Sequence, residues 1–279
     1  MKEIKFKFWL LAVGMIFGAV AATYVVTKTT AQQAQPASVA AINEYQVASV
    51  LYFQTAAENR ALFYQAFNLA RLKLDAELKA CKKSRKKQPC AIVTDVDETV
   101  LDNSPNQAWL IKNNQAFTQS NWENWVNRAE AKPLAGALEF FNYAAKNGIK
   151  TFYVTNRTEA ERVGTADNLK KAGFPEVTDE TLLLRTDTSS KEPRRQTIAQ
   201  KHRIVMLVGD NLNDLAQVFE RKPIAERFAA VDNLKNEFGN RFIVLPNPMY
   251  GEWESAVYDF KRLTEEEKAR ARQEKLQSY

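Results

Sequence analysis

The sequence predicts an α/β fold, a central parallel sheet flanked by helices, and two observations carry that expectation. Short apolar, β-branched runs alternate with stretches whose apolar residues recur at helical spacing, the pattern of βαβ units. The strand-like runs also end in carboxylates, a hydroxyl and a lysine, and in open α/β sheets ligands bind beyond the carboxyl ends of the strands. The chain has 279 residues, 45% hydrophobic and 11% aromatic, enough for one sizeable domain with accessories.

The chain begins "MKEIKFKFWLLAVGMIFGAVAATYVVTK". Lys2, Lys5 and Lys7 precede an uncharged stretch of 19 residues, Phe8 to Val26. Residues 1–28 are therefore expected to be a signal peptide, with Ala19-Val20-Ala21 as a small-residue cleavage site, or an N-terminal membrane anchor. The basic flank stays in the cytoplasm and the remainder is exported, to the periplasm or the outer face of the cytoplasmic membrane. Residues 29–41 read as a flexible polar tether, and residues 42–279 as the folded domain.

From Ile42 to Leu78 helical spacing predicts two helices, broken near Glu58 and Asn59, whose aromatic stripe of Tyr52, Phe53, Phe63, Tyr64 and Phe67 belongs to the core. Cys81 and Cys90 bracket the basic run "KKSRKK", Lys82 to Lys87, read as a solvated loop. In an oxidising compartment the two cysteines could close a ten-residue ring, worth ~2–3 kcal/mol; the alternative is two unpaired thiols. Ala91–Thr94 is the first buried strand. Ala108–Ala129, with Trp122 and Trp125, reads as helical, and Pro133–Gly148 as an amphipathic helix. Strands follow at Lys150–Val154, Leu182–Leu184, Ile204–Val208 and Phe242–Leu245, with helices at Glu159–Ala172 and Pro193–Lys201 between them. The tail "LTEEEKARARQEKLQSY" reads as a charged, solvent-facing helix. Segments 42–80 and 103–130 are expected to contribute a smaller helical subdomain, and no internal repeat is evident.

The first strand runs straight into "DVDETVLDNS", with acids at Asp95, Asp97, Glu98 and Asp102. Asp95 and Asp97, two apart, project side by side from an extended chain. Such carboxylates repel, and a hard divalent cation would keep both ionised while also neutralising a phosphate. The second strand ends in Thr155-Asn156-Arg157, Lys191 opens the helix after the third, and the fourth ends in "GDNLND", with Gly209, Asp210 and Asp214. All of these fall at one edge of one sheet.

Composition removes other classes. His202 is the only histidine, and it lies between a helix and a strand, so histidine-nucleophile and zinc-dependent phosphatase chemistry lacks its residues. No Cys-x₅-Arg loop exists, since Lys87 and Val96 occupy the arginine positions after Cys81 and Cys90. A net charge of +6 is scattered rather than gathered on one face, which argues against a nucleic-acid polymer as partner.

"DVDET", "VTNR", the lone Lys191 and "GDNLND" resemble the four motifs of the haloacid-dehalogenase (HAD) superfamily. "ALFYQAFNLA", "DNSP", "NWENWV" and "LPNPMYGEWE" narrow the resemblance to the class C bacterial acid phosphatases, the outer-membrane lipoprotein type. The resemblance implies a HAD-like Rossmannoid core with a helical cap. It also implies an Mg²⁺-dependent phosphomonoesterase acting on small organic phosphates, 5′-nucleotides above all, through an aspartyl-phosphate. Asp95 would be the nucleophile and Asp97 the acid and then the base, with Thr155 and Lys191 at the transferring oxygens. Asp95, the Asp97 carbonyl and Asp210 would hold the metal, and Asp214 would brace its waters or Lys191. Asn156 and Arg157 would lie at the substrate, and Trp122 and Tyr250 would sandwich the nucleobase. No cysteine precedes Cys81, so the lipobox of the lipoprotein members is missing and lipid anchoring is not expected; membrane association would come only from an uncleaved N-terminal segment. The resemblance leaves room for a homodimer. Two alternatives share these motifs or this fold: a phosphotransferase to acceptor alcohols, and a non-catalytic storage or binding protein.

Overall fold

The five runs expected to be strands form one sheet. In the computed structural model, which describes residues 43–84 and 87–279, the strands are β1 (Cys90–Thr94), β4 (Lys150–Thr158), β5 (Leu182–Arg185), β6 (Arg203–Gly209) and β7 (Phe242–Val244). They are all parallel, in the order β5-β4-β1-β6-β7. The expected targeting segment and tether, and the middle of "KKSRKK", lie outside the described residues. Among the described residues no helix is long and apolar enough to cross a membrane.

β1 takes the centre, and all five of its residues are buried, as a continuous apolar run requires. Thr94 pairs with Tyr153 of β4 on one side and Val208 of β6 on the other, so β1 and β6 end nearly flush while β4 runs on to Thr158. From β1 the chain builds outward through β4 and β5, then returns to the other side of β1 for β6 and β7. That reversal opens a crevice beside the end of β1.

Helices cover both faces: α1 (Val47–Thr55), α2 (Ala57–Ser84), α3 (Ser104–Lys112), α4 (Gln119–Arg128), α5 (Ala137–Lys146), α6 (Arg162–Ala172), α7 (Glu192–Lys201), α8 (Ile224–Asn233), α9 (Glu252–Val257) and α10 (Glu265–Lys275). One core gathers Phe63, Phe67, Leu74, Phe140, Phe141 and Tyr153. The other face packs Phe152, Val154, Leu207, Phe219 and Phe242. His202 is buried, edge-on to Phe152 with ring centroids 5.0 Å apart, and burial lowers its pKa. A Cys81–Cys90 disulfide ties the end of α2 to the start of β1.

The structure corrects several boundaries. The α1–α2 break falls at Ala56, not Glu58–Asn59; buried Asn59 sits just beyond it and donates back to the Phe53 carbonyl (3.0 Å), so the polar residue marks the cap rather than the break. Ala108–Ala129 is not one helix. Asn114 turns left-handed (φ 49°) after α3, and Thr118 restarts the chain by accepting from Asn121 N (3.1 Å). Pro133 does not open α5 but belongs to β3 (Lys132–Pro133), which pairs antiparallel with β2 (Leu101–Asp102) and closes the base of the α3–α4 excursion. Lys82 and Lys83 continue α2 rather than starting a loop. The helices α8 and α9 were not foreseen.

Candidate active site

Asp95 is the first residue past β1, fixed by its N–H to the Val208 carbonyl of β6 (3.0 Å). Its carboxylate meets the buried Lys191 ammonium, which also reaches Asp214 Oδ1 at 2.7 Å. Asp214 gets so close because residue 209 is glycine: a Cβ there would lie 2.4 Å from that of Asp214. Its other oxygen accepts from Asn211 N (3.0 Å). Both Asp214 oxygens are thus engaged, one on Lys191, which agrees with a bracing role.

Asp210 ends β6. Neutral groups hold it: Thr99 Oγ1 at 3.1 Å and Asn247 Nδ2 at 2.8 Å. Carboxylate oxygens of Asp95, Asp210 and Asp214 all lie within 4.8 Å of one another. Burial pushes the Asp95 carboxyl well above the usual range against the pull of Lys191, and the charges of Asp214, Asp210 and Asp97 add to the rise. Burial and the Asp214 charge push Asp210 up to about 7. Lys191 is raised despite its burial by Asp214 and Asp95. Three crowded carboxylates with one ammonium between two of them carry more negative charge than Lys191 neutralises. An all-oxygen donor set of this kind fits a hard divalent cation.

Asp97 does not join that cluster. Its carboxylate turns to Arg157, whose guanidinium reaches Oδ1 at 2.7 Å (Nη2) and 3.0 Å (Nε), and to Asn103 Nδ2 at 2.8 Å. Arg157 is 2% exposed and also donates to Thr165 Oγ1 (3.1 Å) and Asn103 Oδ1 (3.3 Å). Arg157 lines the cavity, as a substrate contact requires, but most of its donors go to Asp97, Asn103 and Thr165, so it also holds the Asp97 carboxylate from behind. Thr155 is buried at the end of the paired part of β4, its Oγ1 3.4 Å from Asp97 Oδ2. Asn156 faces outward, with Oδ1 accepting from Arg194 (2.8 Å).

These groups open into a cavity of about 870 Å³ that Asp95, Asp97, Trp122, Lys191, Asp210 and Tyr250 line together. Trp122 is half-buried with its ring 5.2 Å from the Arg157 guanidinium, whereas Trp125 packs against the core and donates to Asn103 Oδ1 (2.8 Å). Sequence reasoning missed Phe117, a 60%-exposed ring on the cavity wall 6.3 Å from Trp122, and it missed Asn103, Thr99 and Asn247 as supports of the acids. Asn103 stands in "DNSP" and Asn247 in "LPNPM", so the signal was present but an asparagine in a loop has too many uses to be assigned.

A family model described as HAD superfamily, subfamily IIIB (Acid phosphatase) matches residues 13–253. Among solved structures, the class C acid phosphatase from Bacillus anthracis superposes with a TM-score of 0.80 at 39% identity, covering 85% of this chain and 99% of that one. The same enzyme with tungstate bound gives 0.79 at 41%, covering 84% and 98%. Acid phosphatase 1 of Solanum lycopersicum is 31% identical over 166 residues, 57% of either chain. The stem 28 kDa glycoprotein of Glycine max is 30% identical over 132 residues, 44% of this chain and 51% of that protein. The matched region spans about half the length of these curated relatives.

Proposed function

The chain belongs to the acid phosphatases of HAD subfamily IIIB, and we propose that it is an exported, Mg²⁺-dependent phosphomonoesterase that prefers 5′-nucleotides. The observation that carries the reading is the division of labour at the end of β1: Asp95 beside Lys191, and Asp97 aimed by Arg157, on one wall of one cavity.

Asp95 Oδ attacks phosphorus and the bond from phosphorus to the ester oxygen breaks. Asp97 passes a proton to the departing alkoxide. Water then attacks the aspartyl-phosphate, loses its proton to Asp97, and releases phosphate and the free Asp95 carboxylate. Lys191 and the Thr155 hydroxyl neutralise charge on the transferring oxygens. Asp95, the Asp97 carbonyl and Asp210 are the residues to hold Mg²⁺. When bound, the ion supplies positive charge to the phosphoryl oxygens and lets the crowded acids ionise together. Tungstate in the Bacillus anthracis relative supports an oxyanion site, since it shares the tetrahedral shape of phosphate.

Phosphate binding at the strand ends is blind to the leaving group, so preference must come from the cavity wall. Trp122 and Tyr250, joined by Phe117, offer π-faces on which any base can stack, at ~1–3 kcal/mol per base. Export is supported by the basic and apolar N-terminal sequence and by the Cys81–Cys90 disulfide, which persists in oxidising compartments. A phosphate-release panel of nucleoside monophosphates, sugar phosphates and aromatic phosphates, with and without Mg²⁺, tests the reading. Release that favours nucleotides and needs the metal supports it. A correctly folded protein that releases no phosphate from any of them would favour the storage alternative. Against that alternative, Asp95 and its partners Lys191 and Asp214 are all present here.

A further inference from the structure

Of the four acids after β1, Glu98 has found no use so far, although burying it is costly. It is fully buried, sits in the left-handed region (φ 53°), and its charged neighbours Asp97, Asp210 and Asp102 are all negative. Each of its oxygens nevertheless receives one donor, from two different parts of the chain. Oε1 accepts from Asn103 N (2.8 Å), and Oε2 accepts from the Tyr250 hydroxyl. Asn103 in turn donates to Asp97 Oδ1 (2.8 Å) and is itself steadied by Trp125 Nε1 (2.8 Å). A continuous hydrogen-bonded path therefore runs from Tyr250 through Glu98 and Asn103 to Asp97.

We propose that Glu98 is a positioning residue that couples leaving-group recognition at Tyr250 to the aim of the Asp97 acid; this rests on the nucleotide reading above. An ordinary core residue at position 98 would fill the space without a carboxyl. A carboxyl is needed if two donors must be held at one fixed separation, one on the cavity's aromatic wall and one on the turn that supports the acid. A base stacked on Tyr250 restrains the ring, the ring's hydroxyl restrains Glu98, and the turn at Asn103 follows. The gain falls on the proton transfer to the leaving group and therefore on kcat.

The test compares Tyr250→Phe, which keeps the ring and removes the hydroxyl, with Glu98→Gln, whose single acceptor oxygen can serve only one of the two donors, so that with Asn103 N served the tyrosine hydroxyl must accept from the amide instead of donating to a carboxyl, and with the double variant. Steady-state kinetics are measured on a nucleoside monophosphate, a small alkyl phosphate and nitrophenyl phosphate. Each single variant should lower kcat on the nucleotide about 10-fold or more, the loss expected for a hydrogen bond to a carboxyl. KM should change little, nitrophenyl phosphate should be nearly spared, and the double variant should be no worse than the worse single. Losses that multiply, that fall on KM alone or that are equal on nitrophenyl phosphate would overturn the coupling, as would a wild-type Tyr250→Phe. If Glu98→Gln does not fold, Tyr250→Phe alone decides by its kcat on nucleotide against nitrophenyl phosphate. Tyr250→Ala separates the two claims. If it harms nucleotide and alkyl phosphate equally, the nucleotide preference fails; if it is selective while Tyr250→Phe is silent, only the coupling fails.

Discussion

Replacing Arg157 by methionine should damage the protein in two separable ways. The guanidinium is almost fully enclosed and makes short bonds to Asp97 at 2.7 and 3.0 Å, with further bonds to Thr165 at 3.1 Å and Asn103 at 3.3 Å. Removing one partner of a buried pair costs ~3–5 kcal/mol, because the other charge is left uncompensated. The Asp97 side chain keeps 18% of its exposure on the cavity side, so water takes up part of the loss and ~2–4 kcal/mol is the better figure. For a domain of this size that is a fall in melting temperature of roughly 4–16 °C. The second effect is catalytic. An Asp97 no longer held in line should lose much of the ~10²–10⁴-fold that a positioned acid contributes, most on poor leaving groups and least on nitrophenyl phosphate. Thermal unfolding and phosphate release on nucleotide, alkyl and nitrophenyl substrates measure both. A folded Arg157→Met protein with wild-type turnover, or one that loses affinity for every substrate alike with kcat unchanged, would refute the reasoning and return Arg157 to a direct substrate contact.

Asp95→Asn should abolish turnover while leaving the fold intact, because an amide cannot attack phosphorus; phosphate release near the wild-type rate from folded protein would remove Asp95 as nucleophile. Metal binding should depend on pH. Asp210 has its folded pKa raised to about 7, so the metal-free fold gains stability from its proton at low pH and loses it as pH rises from ~4 through 7, whereas Mg²⁺ competes with that proton and binds better as pH rises. The melting-temperature gain from Mg²⁺ should therefore grow between pH 5 and 7.5, on the order of the window set by that pKa, and an equal gain at both ends would contradict the assignment. Reduction of Cys81–Cys90 should cost ~2–3 kcal/mol, or roughly 4–12 °C, and the unreduced, unfolded protein should show no reactive thiol; two titratable thiols would rule the bond out.

What could be read from the sequence follows from how locally each feature is determined. β1 and β6 are buried on both faces, so their apolar runs have no competing reading, and the acids at their ends stand out against them. Asp95 and Lys191 are 96 residues apart, yet their convergence on one edge of one sheet was legible, because one stands at the end of a strand-like run and the other opens the helix after another. Arg157 was not. An arginine at a strand end beside a phosphate site reads as a phosphate ligand. Only the fold shows that β4 continues through it to Thr158 and turns its guanidinium inward onto Asp97. The break in Ala108–Ala129 was hidden for a different reason: "NNQAFT" contains no proline or glycine, and a left-handed asparagine ends a helix without either.

Four aspartates line the cavity, and nothing in their own chemistry tells them apart. Their partners do. Asp97 takes a whole guanidinium, which fixes its direction and keeps it out of the metal cluster. Asp95 and Asp214 divide one ammonium, and Asp214 spends its second oxygen on a backbone N–H, which leaves Asp95 as the member with an oxygen to spare for phosphorus. Asp210 alone is held only by neutral donors, a threonine hydroxyl and an asparagine amide, so its charge is orientated without being cancelled. A carboxylate in that condition, buried and raised to about 7, is the one that gains most from a cation. The proposed division into nucleophile, acid, brace and ligand thus rests on Lys191, Arg157, Gly209 and the Thr99–Asn247 pair. Exchanging Asn247 for lysine would supply the missing charge from the chain itself and should abolish the melting-temperature gain from Mg²⁺ and the phosphate release together.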